Sequence, residues 1–146
     1  MQDFDDFDAG CRAGLIALAD EMAQHGAARD APVRTIFGLL GDRWSMLILL
    51  LLGIAPFRHA ELRRLLIRLS AEGGISQRVL TLKLRLLERN GLVARSVSAD
   101  VPPKVGYALT DLGGELVEEA RRLLGWVQGS GARIEAARVA FDAGED

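Results

Sequence analysis

The side chains best suited to chemistry in this chain sit in one short stretch, ISQRVLTLKLRLLE, residues 75–88. Gln77, Arg78, Thr81 and Arg85 supply amide, guanidinium and hydroxyl groups, the donors and acceptors that pair with planar polar edges. On a helix turning about 100° per residue, with Gln77 at 0°, Glu88 falls near about 20°, Thr81 near 40°, Arg85 near 80° and Arg78 near 100°. These residues make one polar arc. Leu87, Leu80 and Leu84 fall at about 280–340° and make a core stripe on the other side. Ser76 stands where a helix N-cap is expected, and a capped helix N-terminus can hold a phosphate. A helix of this width fits the DNA major groove, where Arg pairs with guanine, Gln with adenine, and a Thr methyl can touch thymine. The same residues also suit an ordinary solvated helix face. A second apolar patch, Leu82, Leu86 and Val79 at about 140–200°, is expected to be covered by the preceding helix or the following hairpin. Left exposed, it would mark a partner surface.

The neighbouring elements decide between these readings. Residues 1–8 alternate Asp and Phe and are expected to fray. A helix is predicted over 10–25, with Leu15, Ile16, Leu18, Ala19 and Met22 on one side, stopped by Gly26 and Pro32. Further helices are predicted over 33–40, 43–52 (with Asp42 as its cap) and 59–69, and GIAPF reads as a turn. The helix over 77–89 ends at Asn90 or Gly91, either of which can take the left-handed cap. The apolar period then changes from 3.6 to 2: LVARSVSA and VGYALT alternate around DVPPK, which predicts a β-hairpin with a proline-stiffened tip. Thr110 and Asp111 cap a helix expected over 112–127. It should end near GSG, with a short helix and a disordered acidic end after it. The fold class is therefore mostly α with a small β-hairpin: a winged helix–turn–helix with extra helices at both ends.

Charge supports a binding surface. The whole chain carries only −2, but residues 58–95 hold nine Lys/Arg against three acids, a net of +6. Residues 1–30 carry −5 and residues 110–146 carry −4. A basic middle between acidic ends is the asymmetry expected of a nucleic-acid face, and equally of several solvated helix faces. The single cysteine, Cys11, excludes an internal disulfide. The apolar run SMLILLLLGIAPF is shorter than the roughly 20 residues that cross a bilayer, so it reads as a buried helix. An acidic N-terminus without a basic start and apolar core does not resemble a signal peptide. The expected location is cytoplasmic, with no membrane partner. No glycine-rich phosphate loop, metal-ligand cluster or nucleophile motif is present, so neither an enzyme nor a cofactor is expected.

The segments APVRTIFGLLGDRWSMLILLLL, FRHAELRRLL, GISQRVLTLKLRLLERNGLVARSV and DVPPKVGYALTDLGGEL together resemble the HxlR-type winged helix–turn–helix transcriptional regulators, over residues 31–126. The resemblance implies a homodimer joined through terminal helices, a recognition helix in the major groove and a hairpin wing at the flanking groove. Residue by residue, Ser76, Gln77, Arg78, Thr81 and Arg85 look like the recognition-helix set, and Lys104 occupies the wing's basic position. Arg63, Arg64 and Arg95 are expected on phosphates of a palindromic operator in double-stranded DNA. A small-molecule effector is left open.

The departures are specific. The cysteine many members carry before PV is Ala31 here, and Cys11 is expected to pack as a small hydrophobe. The usual Phe before the EL pair is His59, expected to be structural. Leu50, Leu51, Leu82 and Leu86 replace charged or polar residues, and the link IRLSAEG is longer. The division expected is an acidic tail and extra helix over 1–30, a winged helix–turn–helix DNA-binding domain over 31–110, and a dimerisation helix and tail over 111–146. The extra helix is expected to meet Leu50, Leu51 and the C-terminal helix, extending the dimer or enclosing an effector pocket. The competing reading is a winged-helix protein-interaction module, which the same fold also serves.

Overall fold

The computed structural model describes residues 4–26, 28–71 and 73–144. They form two compact units, one up to Asp42 and one from Arg43 onward.

The first unit holds α1 (Ala9–His25) and α2 (Pro32–Gly41). Asp8 caps α1, its carboxylate accepting from the amides of Gly10 and Cys11 at 3.1 and 3.2 Å. The described part of the acidic tail is tied to α1. Arg12 reaches back and donates to the carbonyls of Phe4, Asp5 and Phe7 at 3.0–3.3 Å, and pairs with the Asp5 carboxylate at 3.6 Å. These carbonyls attract a fork of donors that spacing alone does not reveal. Gly26, at φ +84°, ends α1, and Pro32 opens α2 at a position where its missing N–H costs nothing. No residue of α1 is buried. Cys11 is exposed, so it does not pack as a small hydrophobe. A cleft of about 830 Å³ within this unit is lined by Leu18, Met22, Val33 and Phe37 among others.

The second unit is built on α3 (Arg43–Leu52), which buries Trp44, Ser45, Ile48, Leu49, Leu51 and Leu52. The apolar run is the central core helix, as its length requires. Around it lie β1 (Phe57–Arg58), α4 (His59–Leu69), α5 (Gln77–Arg89), β2 (Val93–Val97), β3 (Val105–Leu109) and α6 (Asp111–Gly144). Leu62 and Leu66 of α4, Leu80, Leu84 and Leu87 of α5, and Leu92 after it are fully buried. These are the 3–4-residue spacings that predict the helices, and they close one core. Leu65 is half-buried and Leu69 exposed, so the inward stripe of α4 is narrower than its sequence suggests.

The sheet is antiparallel with order β1–β3–β2. Val93 pairs with Leu109 and Val97 with Val105, and the tip is closed by Ser98 N–H on the Lys104 carbonyl at 2.9 Å. The strand β1 lies inside what reads as a turn. Phe57 pairs with Tyr107 and Arg58 with Gly106. Two residues carry no period of their own, and only the free edge of β3 makes them a strand.

The loop from α5 to β2 and the start of α6 are locked together. Gly91, not Asn90, takes the positive φ, at +75°. The Thr110 hydroxyl accepts from Gly113 N–H at 3.0 Å and donates to the Gly91 carbonyl at 2.5 Å. A Cβ on Gly113 would fall on the Leu92 carbonyl oxygen, which explains the glycine in TDLGG. The helix α6 is then continuous for 34 residues, where a break near GSG and a second short helix were expected. Glycines weaken a helix by only about 1 kcal/mol each, and the Ala, Glu and Arg residues beyond them favour helix enough to carry it through. Gly113, Val117, Ala120 and Ser130 are its buried residues.

Candidate nucleic-acid interface

The helix α5 begins as its sequence indicates. The Ser76 hydroxyl accepts from the Val79 amide at 3.1 Å and so caps the first turn. With Leu80, Leu84 and Leu87 fixed in the core, the polar arc must face outward, and Gln77, Arg78, Thr81 and Arg85 are all exposed. Gln77, Arg78 and Arg85 make no side-chain hydrogen bond or ion pair with any described residue, so their donors are free for a ligand.

Thr81 differs from them. Its hydroxyl donates to the Gln77 carbonyl at 2.9 Å and lies 3.0 Å from His59 Nε2. Having spent its proton on Gln77, the oxygen accepts from His59, which places the imidazole proton on Nε2. His59, at the start of α4, also has its ring 6.4 Å from that of Tyr107 on β3, tilted by 51°. One side chain therefore joins α4, α5 and the wing. Burial lowers the His59 pKa below its ordinary 6.5, and the Arg63 guanidinium lowers it further. Spacing alone does not reveal this residue. Its only signal is a departure, His where the resembling family carries Phe.

The arginines expected on phosphates divide. Arg63 is half-buried and donates Nε to the Ile75 carbonyl at 2.9 Å. That bond pins the turn leading into α5, so Arg63 first positions the helix. Arg64 is exposed on α4, beside Phe57, Glu61, Leu65, Ile67 and Arg68 around a surface cleft of about 650 Å³. Arg95 is exposed on β2, opposite Tyr107 in the ladder, and Lys104 is exposed just before β3. The structure thus brings Ser76, Gln77, Arg78, Thr81 and Arg85 onto one helix, ties Thr81 and Arg63 into the scaffold, and sets Arg95 and Lys104 on the hairpin.

The second apolar patch is not covered as expected. Leu82 is 57% exposed, Leu86 38% and Val79 37%. The elements that pack on α5 are α3 and β2, and these three residues stay exposed among the described residues. Among the described residues no group of three or more His, Cys, Asp or Glu side chains is placed to hold a metal. No single described helix is long and apolar enough to cross a membrane.

The chain has known relatives. The sequence profile of the HxlR-like helix–turn–helix family matches residues 39–135. The HTH-type transcriptional regulator YdeP of Bacillus subtilis is 39% identical, over 76% of this chain and 84% of that protein. Among solved structures, the transcriptional regulator YtfH from Salmonella typhimurium is similar at a TM-score of 0.61 and 32% identity, covering 76% of this chain and 94% of that one. The reduced form of the redox regulator HypR is similar at 0.61 and 32%, covering 72% and 98%. Its neighbours are winged-helix transcriptional regulators, and the chain itself belongs to the HxlR-like helix–turn–helix family of transcriptional regulators.

Proposed function

We propose that the protein is a cytoplasmic, homodimeric, sequence-specific DNA-binding regulator without enzymatic activity. It sets α5 in the major groove and the β2–β3 hairpin at the flanking groove. One observation carries this reading: Gln77, Arg78 and Arg85 stand exposed with unused donors on a capped helix whose other side is locked into the core. Bidentate pairing of Arg with guanine and Gln with adenine uses these groups. Arg64, Arg95 and Lys104, with Ser76 at the helix N-terminus, supply phosphate contacts that set register and salt dependence. Arg63 contributes by holding the turn before α5, and Thr81 contributes a side chain fixed by His59.

Dimerisation is supported by α6, about 51 Å long at about 1.5 Å per residue. It exposes Leu112, Leu123, Trp126, Val127, Val139 and Phe141. An apolar surface of that extent on one helix favours burial against a second copy. Two-fold symmetry then asks for a palindromic operator in double-stranded DNA, with half-sites about 10–10.5 bp apart or a multiple of that.

The test is selection from a randomised duplex library at two salt concentrations, with Arg78→Ala alongside. A palindromic motif that the variant no longer enriches is expected. The competing reading, a protein-interaction module, is favoured by the exposure of Leu82 and Leu86. It predicts no enriched duplex while folding and dimerisation remain intact.

A further inference from the structure

The more exposed of the two exposed leucines on α5, Leu82, borders its polar arc. Leu82 follows Arg78 by four residues and precedes Arg85 by three, so on a helix it neighbours both positions. It sits about 40° round from Arg78, continuous with the polar arc, whereas Leu86 and Val79 lie further round. The helix carries Arg78, Lys83, Arg85 and Arg89 against one acid, Glu88. An apolar side chain bracketed by guanidinium groups suits an apolar spot on a polyanion better than an apolar groove on a protein.

The second observation is the state of Thr81. Its proton and one lone pair are engaged, by the Gln77 carbonyl and by His59. With its donor spent, exposed Thr81 has its methyl and one lone pair left to offer. In the major groove, the apolar feature of the unmodified base edges is the 5-methyl of thymine, and apolar side chains read it by contact. Exposure of a leucine here, together with a threonine whose donor is already spent, matches that target.

We propose that this chain reads thymine 5-methyl groups through the Leu82 side chain and the Thr81 methyl, with His59 holding Thr81 in the reading position. The proposal rests on the DNA-binding reading and deepens it. Arg78, Arg85 and Gln77 specify neighbouring bases, and Leu82 and Thr81, on either side of the two arginines, make the helix prefer thymine over cytosine at the positions they reach. His59 acts as a positioning residue, because it touches Thr81 and not the base.

The experiment uses the full chain and the operator recovered from the duplex library. Each thymine is replaced singly by deoxyuridine, which keeps the base pair and removes only the methyl. Binding is measured for the parent, Leu82→Ala and Thr81→Ser at two salt concentrations. Loss of a buried methyl corresponds to about a fourfold weakening. That loss is expected in the parent at a thymine within each half-site. It should vanish in Leu82→Ala or in Thr81→Ser, with the salt dependence unchanged. Leu82 is exposed and Thr81→Ser keeps the hydroxyl, so both variants are expected to fold. Uridine tolerated at every position, an operator without thymine, or a uridine penalty undiminished in both variants would overturn the proposal. Each of these leaves the regulator reading intact and assigns the exposed leucine to a protein partner. Enrichment of no duplex at all would overturn both.

Discussion

Helices α1 and α5 both carry several large apolar residues, but α5 gathers its own on one side far more sharply than α1, and their fates differ. The 13 residues of α5 bury three leucines completely, and the 17 of α1 bury none. The buried leucines Leu80, Leu84 and Leu87 belong to a helix that packs against β2 and against α3, itself largely buried and apolar. In α1, Ile16, Leu18 and Met22 remain in contact with water, beside a cleft shared with Val33 and Phe37. Apolar residues that a helix spreads around itself cannot all be covered by one neighbour, whereas a single stripe can. A functional helix such as α5 must be rigid on one side to present fixed donors on the other. The surface of α1 is available for burial.

The comparison can be broken most strongly inside α5. Leu84→Ala should destabilise the fold by about 2–5 kcal/mol, since the cavity adds to the lost transfer energy. Urea denaturation that showed less than about 1 kcal/mol would mean that α5 is not held by its stripe. On the outward side, Arg78→Ala should leave stability nearly unchanged and cost about 1–3 kcal/mol in binding, confined to one base pair. A uniform loss across all duplexes would make Arg78 a phosphate contact.

The scaffold behind the arc predicts a pH effect. The folded-state pKa of His59 is lowered, so the folded state resists its protonation more than the unfolded chain does. Its contribution to stability is present above the unfolded value of about 6.5 and is lost as pH falls below it toward the lower folded value. His59→Phe should remove this part of the acid sensitivity and loosen Thr81. Parallel melting curves between about pH 7 and pH 5 would test it, and identical pH dependence in parent and variant would show that His59 is not responsible.

The smallest effect is expected in α1. Leu18→Ala in the isolated chain should change stability by no more than about 0.5 kcal/mol, as for other exposed positions. The comparison sharpens if truncation of residues 1–28 lowers the melting temperature of the dimer in a concentration-dependent way. That result would show α1 covered by a second copy, whereas an unchanged dimer would show it uncovered in solution too.

Much of the fold was legible residue by residue. The core stripe of α5, its Ser76 cap, the hairpin around DVPPK and the core role of the SMLILLLL run all follow from periodicity and capping within a few residues of each other. Other features were not legible. The span of α6 through Gly129 and Gly131 turns on a small balance of helix propensities. Arg12 folds the tail back through carbonyls that have no sequence pattern. The patch of Leu82, Leu86 and Val79 was expected under a neighbour, but a helical wheel shows which side is apolar and not what lies against it.

By itself, the sequence determined the helices, the hairpin, the polar arc of Gln77, Arg78, Thr81 and Arg85, and the membership these segments signal, because each depends on interactions over a few residues. Only the tertiary structure decided that Phe57 and Arg58 form a strand, that Arg63 serves the Ile75 carbonyl, that His59 takes up the Thr81 hydroxyl, and that Leu82 stays in solvent. These are pairings between groups 12 to 50 residues apart, or the lack of any cover. They exist only once packing of the core has set the distances between the elements.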